Sequence, residues 1–160
     1  MSVTSARRRA RPDIPADRLA AWRAFLEAHA RVTEVLEREL REGQDLPLTW
    51  YDVLVQLHEA PENRLRMQEL AAAVVLSKSG LTRLIDRMER AGLVRRSQCP
   101  TDRRGTFAEL TDEGYAQLRA AAPTHLVGVE RHFTAHLSAD DAEVLARVLG
   151  AIAAAAHAHR

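Results

Sequence analysis

The sequence is poor in cysteine and in aromatic side chains: one cysteine occurs in 160 residues, and Phe, Trp and Tyr together make up 4%. A single cysteine excludes an intrachain disulfide framework. No apolar run approaches the roughly 20 residues that a membrane-spanning helix needs. The first residues contain several arginines and no apolar signal core, so we expect a cytoplasmic protein.

Catalytic motifs are missing as well. The sequence contains no glycine-rich phosphate loop, no HExxH zinc motif and no convincing pair of nucleophile and base. We therefore predict a protein that is not an enzyme and has no cofactor. The chain is long enough to bury a core, and its prominent Ala, Leu and Arg favour a mainly α fold.

Residues 77–92 have the pattern of an amphipathic helix with a polar, basic start. Ser77 is a suitable N-cap, and Gly92 ends the pattern. The buried side is predicted by four apolar residues at helical spacing, Leu81, Leu84, Ile85 and Met88. The first turns carry small polar and basic side chains instead, Lys78, Ser79, Thr82 and Arg83. Such a start is typical of a recognition helix, whose N-terminus enters the major groove and whose free N–H groups favour phosphate.

A β-hairpin is predicted directly after this helix. Residues 93–97 and 106–110 are the strands, and the segment CPTDRRG between them is the turn. Arg103 and Arg104 would lie near its tip, where the negative potential of a narrow minor groove attracts arginine. Asp102 could pair with one of these arginines and hold it in place.

Positive charge is concentrated in this stretch. Residues 77–105 carry eight basic and three acidic side chains, a net +5, whereas the whole chain is +1 and the remainder therefore −4. A solvated charged face is the alternative interpretation, but helix polarity, turn chemistry and charge together favour nucleic acid. The candidate DNA-binding residues are Ser77, Lys78, Ser79, Thr82, Arg83, Asp102, Arg103 and Arg104.

Three successive blocks of sequence carry a resemblance to a known family: LTWYDVLVQL, LRMQELAAAVVLSKSGLTRLIDRMERAGLVRR and DRRGTFAELT. Asp102 and Arg104, followed by Ala108, Leu110 and Thr111, match its wing signature, with alanine where valine is commoner. In these residues the chain resembles the MarR family of transcriptional regulators, closely over about residues 46–118. The resemblance implies a winged helix-turn-helix flanked by long N- and C-terminal dimerisation helices.

The remaining segments are assigned from periodicity and from this resemblance. We predict a disordered basic tail at residues 1–13, a helical dimerisation region at 14–43 and 112–158, and the winged helix-turn-helix lobe at 44–111. The apolar face of the first long helix is too broad for a terminal helix without a cover. A second copy of the chain is the expected cover.

Polar residues mark the predicted starts of the other helices. Thr49 and Asp52 resemble a capping box. Thr111 is predicted to cap a long helix that runs to about Ala135, and Ser138 starts the last helix. Each of these N-caps would supply an oxygen to an otherwise unpaired backbone N–H.

The layout predicts how the protein would act. Two recognition helices would enter successive major grooves, centred about 10 base pairs apart, so the operator should be an inverted repeat in double-stranded DNA. The resemblance implies a homodimeric repressor released by a small-molecule effector. The candidate pocket residues are Trp22, His29, Trp50 and Asp52. The alternative interpretations are core tryptophans, an interface histidine and a helix-capping aspartate.

A metal-responsive regulator of the same fold is one alternative function. His125, His132 and His136 are spaced to share a face of one helix, and histidines four residues apart can reach one zinc ion. No Cys or Glu evidently completes the site, so we predict no bound metal. Cys99 lies among arginines that would favour its thiolate, but a passive thiol is the better interpretation.

A second alternative is a winged-helix module for protein interaction, without sequence-specific DNA binding. The basic helix and the basic wing together argue against it, because protein interfaces rarely need both. Salt dependence would discriminate the two functions, since DNA binding weakens steeply as salt is added.

Overall fold

The computed structural model describes residues 13–99 and 102–158, without the side chains of residues 99, 102–104 and 157. Its elements confirm a mainly α fold with a small antiparallel sheet. They are α1 (Ala16–Gln44), α2 (Leu48–Glu59), a 3-10 turn (Pro61–Asn63), β1 (Arg64–Arg66), α3 (Met67–Ala73), α4 (Lys78–Arg90), β2 (Val94–Cys99), β3 (Asp102–Leu110), α5 (Asp112–His132), a second 3-10 turn (Thr134–His136) and α6 (Ala139–His157). None of the described helices is long and apolar enough to cross a membrane.

The chain divides into two units, Met1–Arg31 and Val32–Arg160. In the first unit the structure describes residues 13–31, so the predicted basic tail lies outside the described residues apart from Asp13. The first half of α1 carries an aromatic row, in which the rings of Trp22 and Phe25 have centroids 6.0 Å apart. Trp22 and Phe25 are 54% and 43% exposed.

Within the second unit, the winged helix-turn-helix lobe is built around one apolar core. The stripe predicted on α4 is entirely buried, since Leu81, Leu84, Ile85 and Met88 are at most 3% exposed. The same core includes Leu46, Leu54, Leu57, Leu70, Val94 and Ala108 of the lobe, and also Leu40 of α1 and Leu118 of α5. Removal of this apolar surface from water is the main force that stabilises the lobe.

The sheet has three antiparallel strands in the order β1–β3–β2. The sequence predicts the β2–β3 hairpin but not β1, in which Leu65 pairs with the buried Ala108 of β3. Strand β3 is also longer than predicted, because residues 102–105 belong to it and not to the turn. The pairing of β2 with β3 is irregular between Gln98 and Cys99.

Three of the predicted N-caps are confirmed. Ser77, Thr111 and Ser138 each accept a hydrogen bond from the backbone N–H three residues further on, at 3.1, 3.0 and 3.2 Å. At the other end of α4, Gly92 has a φ of 77°, a left-handed conformation that favours glycine after a helix. Local sequence therefore sets the ends of α4 and the starts of α5 and α6.

The predicted cap at Thr49 is wrong. Helix α2 begins at Leu48 after Pro47, so Thr49 lies inside the first turn and Asp52 is not its capping partner. The Leu48 N–H donates instead to Glu37 Oε2 on α1, at 2.6 Å. A carboxylate 11 residues upstream thus satisfies the start of α2, and a local pattern cannot predict such a partner.

Helices α5 and α6 follow the prediction with one difference. Helix α5 ends at His132 and not near Ala135, because Phe133 leaves the helical conformation and a 3-10 turn follows. The apolar stripe of α6 is open to solvent, with Val148 38% and Ile152 59% exposed. The last helix is therefore amphipathic but has little of its apolar face buried.

Candidate nucleic-acid interface

Helix α4 presents a polar face opposite its buried stripe. The five candidate contact residues at its start are all exposed, namely Ser77, Lys78, Ser79, Thr82 and Arg83. The Thr82 hydroxyl donates to the Lys78 carbonyl at 2.9 Å, and the hydroxyls of Ser77 and Ser79 lie 3.4 Å apart. Polar groups thus surround the N-terminal turn, where backbone N–H groups and the helix dipole favour an anion such as phosphate.

Four cations extend along the same helix. Lys78, Arg83, Arg87 and Arg90 are exposed, and within the described residues none of them lies within ion-pair distance of a carboxylate. An arginine or lysine without an internal partner can neutralise a phosphate and release its counterions. Helix α4 therefore combines small polar side chains with positive charge that is available to a ligand.

Arg96 on β2 is joined to α4 by four hydrogen bonds. Its guanidinium donates to Asp86 Oδ1 at 2.5 Å, to Glu89 Oε2 at 2.6 Å and to the Thr82 carbonyl at 3.3 Å. Its backbone N–H donates to Glu89 Oε1 at 2.9 Å. Burial alone would lower the pKa of Arg96, but the hydrogen bonds to the two carboxylates raise it. We call this arrangement of Arg96, Thr82, Asp86 and Glu89 the Arg96 clamp.

Glu109 forms a second polar cluster on the other face of the sheet. It is 9% exposed and accepts from Ser97 Oγ at 2.5 Å and from Arg95 Nε at 2.6 Å. The guanidinium of Arg64 lies 3.7 Å away. The hydrogen bonds from Ser97 and then Arg95 hold the pKa of Glu109 below its ordinary value. Glu109 therefore joins all three strands through side chains.

Among the basic residues counted from the sequence whose side chains the structure describes, Arg95 and Arg96 form ion pairs within the chain. Arg95 and Arg96 both bind carboxylates, which the sequence interpretation missed. Strand alternation could have indicated the pairing of Arg96, because Arg96 follows the buried Val94 by two residues and lies on the same face of the strand. An arginine on that face needs carboxylates, and α4 carries Asp86 and Glu89 three residues apart.

Strand β1 also has a role that the sequence interpretation missed. The guanidinium carbons of Arg64 and Arg66 lie 5.0 and 5.5 Å from the ring centroid of Phe107 on β3, at cation–π distance. The Arg66 N–H donates to Glu69 Oε2 at 3.0 Å, at the start of α3. These contacts fix the helix-turn-helix to the wing, which we define as β2 and β3.

The predicted minor-groove residues belong to the wing by their backbone. The sequence places Asp102, Arg103 and Arg104 in the turn, whereas the structure includes them in β3. Their side chains lie outside the described residues, as does that of Cys99. Their contacts with DNA therefore stay predictions.

The four candidate pocket residues lie on two helices. Trp22 and His29 are on the first half of α1, and Trp50 and Asp52 are on α2. Trp50 packs against the core of the lobe, as its alternative interpretation predicts. Burial raises the pKa of Asp52, and this side chain caps no helix. The pocket role of these residues stays a prediction.

The three candidate metal ligands are not brought together. The rings of His125 and Tyr51 have centroids 4.4 Å apart and are tilted by 38°, and burial lowers the pKa of His125. His132 Nε2 lies 2.8 Å from Glu39 Oε1. His136 belongs to the 3-10 turn beyond α5, so the prediction that the three share one helix is wrong. Among the described residues no group of three His, Cys, Asp or Glu side chains is placed to hold a metal ion.

Known proteins are similar to this chain in both sequence and fold. The family model that matches is described as MarR family and covers residues 44–105. The HTH-type transcriptional repressor YetL of Bacillus subtilis (strain 168) is 30% identical over 113 residues, which are 71% of this chain and 67% of YetL. The similarity thus extends beyond the helix-turn-helix segment.

Two solved structures from Streptomyces coelicolor extend the similarity to most of the chain. AbsC, a MarR family transcriptional regulator, is 39% identical with a TM-score of 0.85, over 92% of this chain and 99% of AbsC. Sco3205, a MarR family transcriptional regulator solved in complex with DNA, is 36% identical with a TM-score of 0.83, over 89% of this chain and 90% of Sco3205.

Proposed function

Since the chain belongs to the MarR family of transcriptional regulators, we propose that it is a homodimeric, sequence-specific DNA-binding repressor that a small-molecule effector releases. Family membership confirms the predicted class of protein, a transcriptional regulator and not an enzyme. One observation carries the DNA-binding proposal. Helix α4 buries one face completely and exposes Lys78, Ser79, Thr82 and Arg83 in its first two turns.

The exposed face of α4 suits the major groove. Its N-terminal turn would bring short polar side chains to base edges, and its four cations would contact phosphates. Arg103 and Arg104 would reach the adjacent minor groove from the wing. The complex of the related Sco3205 with DNA supports this assignment.

Open apolar surface supports the homodimer. On α6, Val144, Val148 and Ile152 are between 38% and 59% exposed, and on α1 Trp22 and Phe25 are 54% and 43% exposed. A second copy related by a twofold axis would cover such surfaces, because an isologous interface matches a patch with itself. The two α4 helices would then read an inverted repeat with half-sites about 10 base pairs apart.

The repressor and effector parts of the proposal come from the family. YetL is named as a repressor, and we propose that this chain is a repressor as well. The dimer would have two conformations that differ in the spacing of its two α4 helices. An effector that binds the conformation unsuited to DNA more tightly would lower the affinity of the dimer for DNA. Trp22, His29, Trp50 and Asp52 are the candidate effector contacts.

A gel-shift titration on the duplex that flanks the protein's own gene, at two salt concentrations, tests the DNA-binding proposal. Arg83→Ala and Arg104→Ala should each weaken binding about tenfold and reduce the slope of log affinity against log salt by about one. Arg119→Ala is the matched control, because Arg119 is exposed on α5 outside the lobe. It should change affinity by no more than about twofold.

Wild-type protein that binds no duplex, even at low salt, would overturn the proposal. Equal affinities for the wild type and both variants would remove these arginines from the interface. Binding of a protein partner that is insensitive to salt would instead favour the winged-helix interaction module.

A further inference from the structure

We propose that Arg96 is a positioning residue, which fixes the orientation of the recognition helix α4 relative to the wing and does not itself contact DNA. This inference rests on the DNA-binding function proposed above and deepens it. It assigns a role in DNA recognition to a side chain that the charge pattern alone would place among the phosphate contacts.

The partners of Arg96 follow one side of α4. Thr82, Asp86 and Glu89 are four and then three residues apart, so they lie on the same face over two turns. Glu89 accepts from both the guanidinium and the backbone N–H of Arg96. Rotation or sliding of α4 along β2 would therefore break several charge-assisted hydrogen bonds at once.

The apolar core cannot supply the same restraint. Leu81, Leu84 and Ile85 anchor α4 in the lobe, but apolar burial is non-directional and tolerates small rotations. Hydrogen bonds between a planar guanidinium and carboxylates are directional. The Arg96 clamp thus sets the angle of a helix whose attachment the core has already secured.

This angle matters for a protein that reads two grooves. Thr82 belongs to both the clamp and the proposed contact face, because its carbonyl accepts from Arg96 while its side chain is exposed. The wing continues from β2 towards the candidate residues Arg103 and Arg104. A fixed angle between α4 and the wing preorganises both elements for DNA, so that binding costs less conformational entropy.

The charge of Arg96 is already engaged within the protein. Its side chain is 26% exposed and pairs with two carboxylates, whereas Arg83 is exposed and has no carboxylate partner in the described residues. A phosphate contact by Arg96 would have to displace those carboxylates. We therefore expect Arg96 and Arg83 to differ in how they affect the salt dependence of DNA binding.

The sign of one mutational effect tests the proposal. The double variant Asp86→Asn/Glu89→Gln removes two negative charges from the recognition helix, and on charge alone it should bind the flanking duplex more tightly. If the two carboxylates position α4 through Arg96, the same variant should instead bind the duplex more weakly. If the binding-competent orientation falls to about one tenth of the population, the apparent affinity falls about tenfold. Unchanged or tighter binding would overturn the proposal.

Salt dependence separates positioning from contact. Arg96→Met should weaken binding about tenfold while it leaves the slope of log affinity against log salt unchanged, whereas Arg83→Ala should lower that slope by about one. Arg95→Met is the matched control, since it removes an ion pair from the same strand on the face away from α4. A lowered slope in Arg96→Met would identify Arg96 as a DNA contact and would overturn the proposal.

A measurement without DNA decides the positioning claim independently. Spin labels at Arg87→Cys on α4 and Gln98→Cys on β2, in a Cys99→Ser background, report the distance between helix and wing. Arg96→Met should broaden that distance distribution, and an unchanged distribution would overturn the proposal. If Arg96→Met does not fold, the Asp86→Asn/Glu89→Gln variant is measured in its place. Wild-type protein that fails to bind DNA would overturn the proposed function, while the distances would still test positioning.

Discussion

Helices α4 and α6 carry apolar stripes of the same kind and bury them to opposite extents. On α4, Leu84 and Ile85 are 3% and 0% exposed, whereas on α6 Val148 and Ile152 are 38% and 59% exposed. Both helices begin at a serine N-cap. The two differ in what covers the stripe, not in how the helix is specified.

This difference separates two sources of stability. The stripe of α4 is covered by other elements of the same chain, so its burial stabilises a single folded chain. The stripe of α6 has little cover within the part of the chain that the structure describes. Its burial is available for association, which we propose is with a second copy, and that contribution depends on protein concentration.

The largest effect on stability is expected from a change in the buried stripe of α4. Ile85→Ala should lower the free energy of unfolding by about 2–5 kcal/mol, because it leaves a cavity in a fully packed core. Denaturant titration at a low and a high protein concentration should give the same loss. A loss that depends on concentration would show that the α4 stripe also belongs to an association surface.

A smaller effect, of a different kind, is expected at α6. Val148→Asp should raise the dissociation constant of the homodimer about tenfold to a hundredfold, because it places an unpaired carboxylate in the proposed interface. Sedimentation measures the dimer fraction. Ala146→Asp, on the opposite side of the same helix, is the control and should leave the dimer intact. Equal behaviour of the two variants would argue against an interface on the α6 stripe.

Within the lobe, the Glu109 cluster should make stability depend on pH. Because the folded pKa of Glu109 lies below the ordinary value of 4.5, ionised Glu109 stabilises the fold above that pH. This contribution is lost as pH falls through the folded pKa. Thermal unfolding of Glu109→Gln between pH 3 and 7 should lack this component, which the wild type should show. Identical profiles would show that Glu109 does not titrate in this way.

The smallest effect is expected at Val75, in the turn between α3 and α4. Val75 has a φ of 55° and is 70% exposed, so a β-branched side chain occupies left-handed backbone with little packing in return. Val75→Gly should therefore be neutral or stabilise the lobe by up to about 1 kcal/mol. Denaturant titration checks this, and a clear loss of stability would mean that the valine side chain makes contacts worth more than the strain.

The parts of the fold that could be predicted depend on neighbouring residues. Ser77, Thr111 and Ser138 cap their helices as predicted, because the accepting oxygen and the donating N–H are three residues apart. The same rule wrongly predicted a cap at Thr49, because Glu37 on another helix supplies the oxygen for the start of α2. Strand β1 was missed because three residues carry too little alternation to indicate a strand.

For the candidate nucleic-acid interface too, features that depend on neighbouring residues were predicted, and contacts between separate elements were not. Helical periodicity correctly predicted that Ser79, Thr82 and Arg83 would be exposed opposite the buried stripe. The count of positive charges did not predict that Arg96 would bind two carboxylates of α4. Charge is additive along a sequence, whereas ion pairing depends on which side chains meet in space.

The sequence by itself determined the starts of α4, α5 and α6, the apolar stripe of α4 and its basic outer face, because each of these depends on residues within about four positions of one another. Tertiary structure decided that Glu37 caps α2, that β1 joins the sheet and that Arg96 clamps the recognition helix to the wing. These contacts join separate elements, so they form only when packing of the whole lobe has offset the entropy of closing the chain between them.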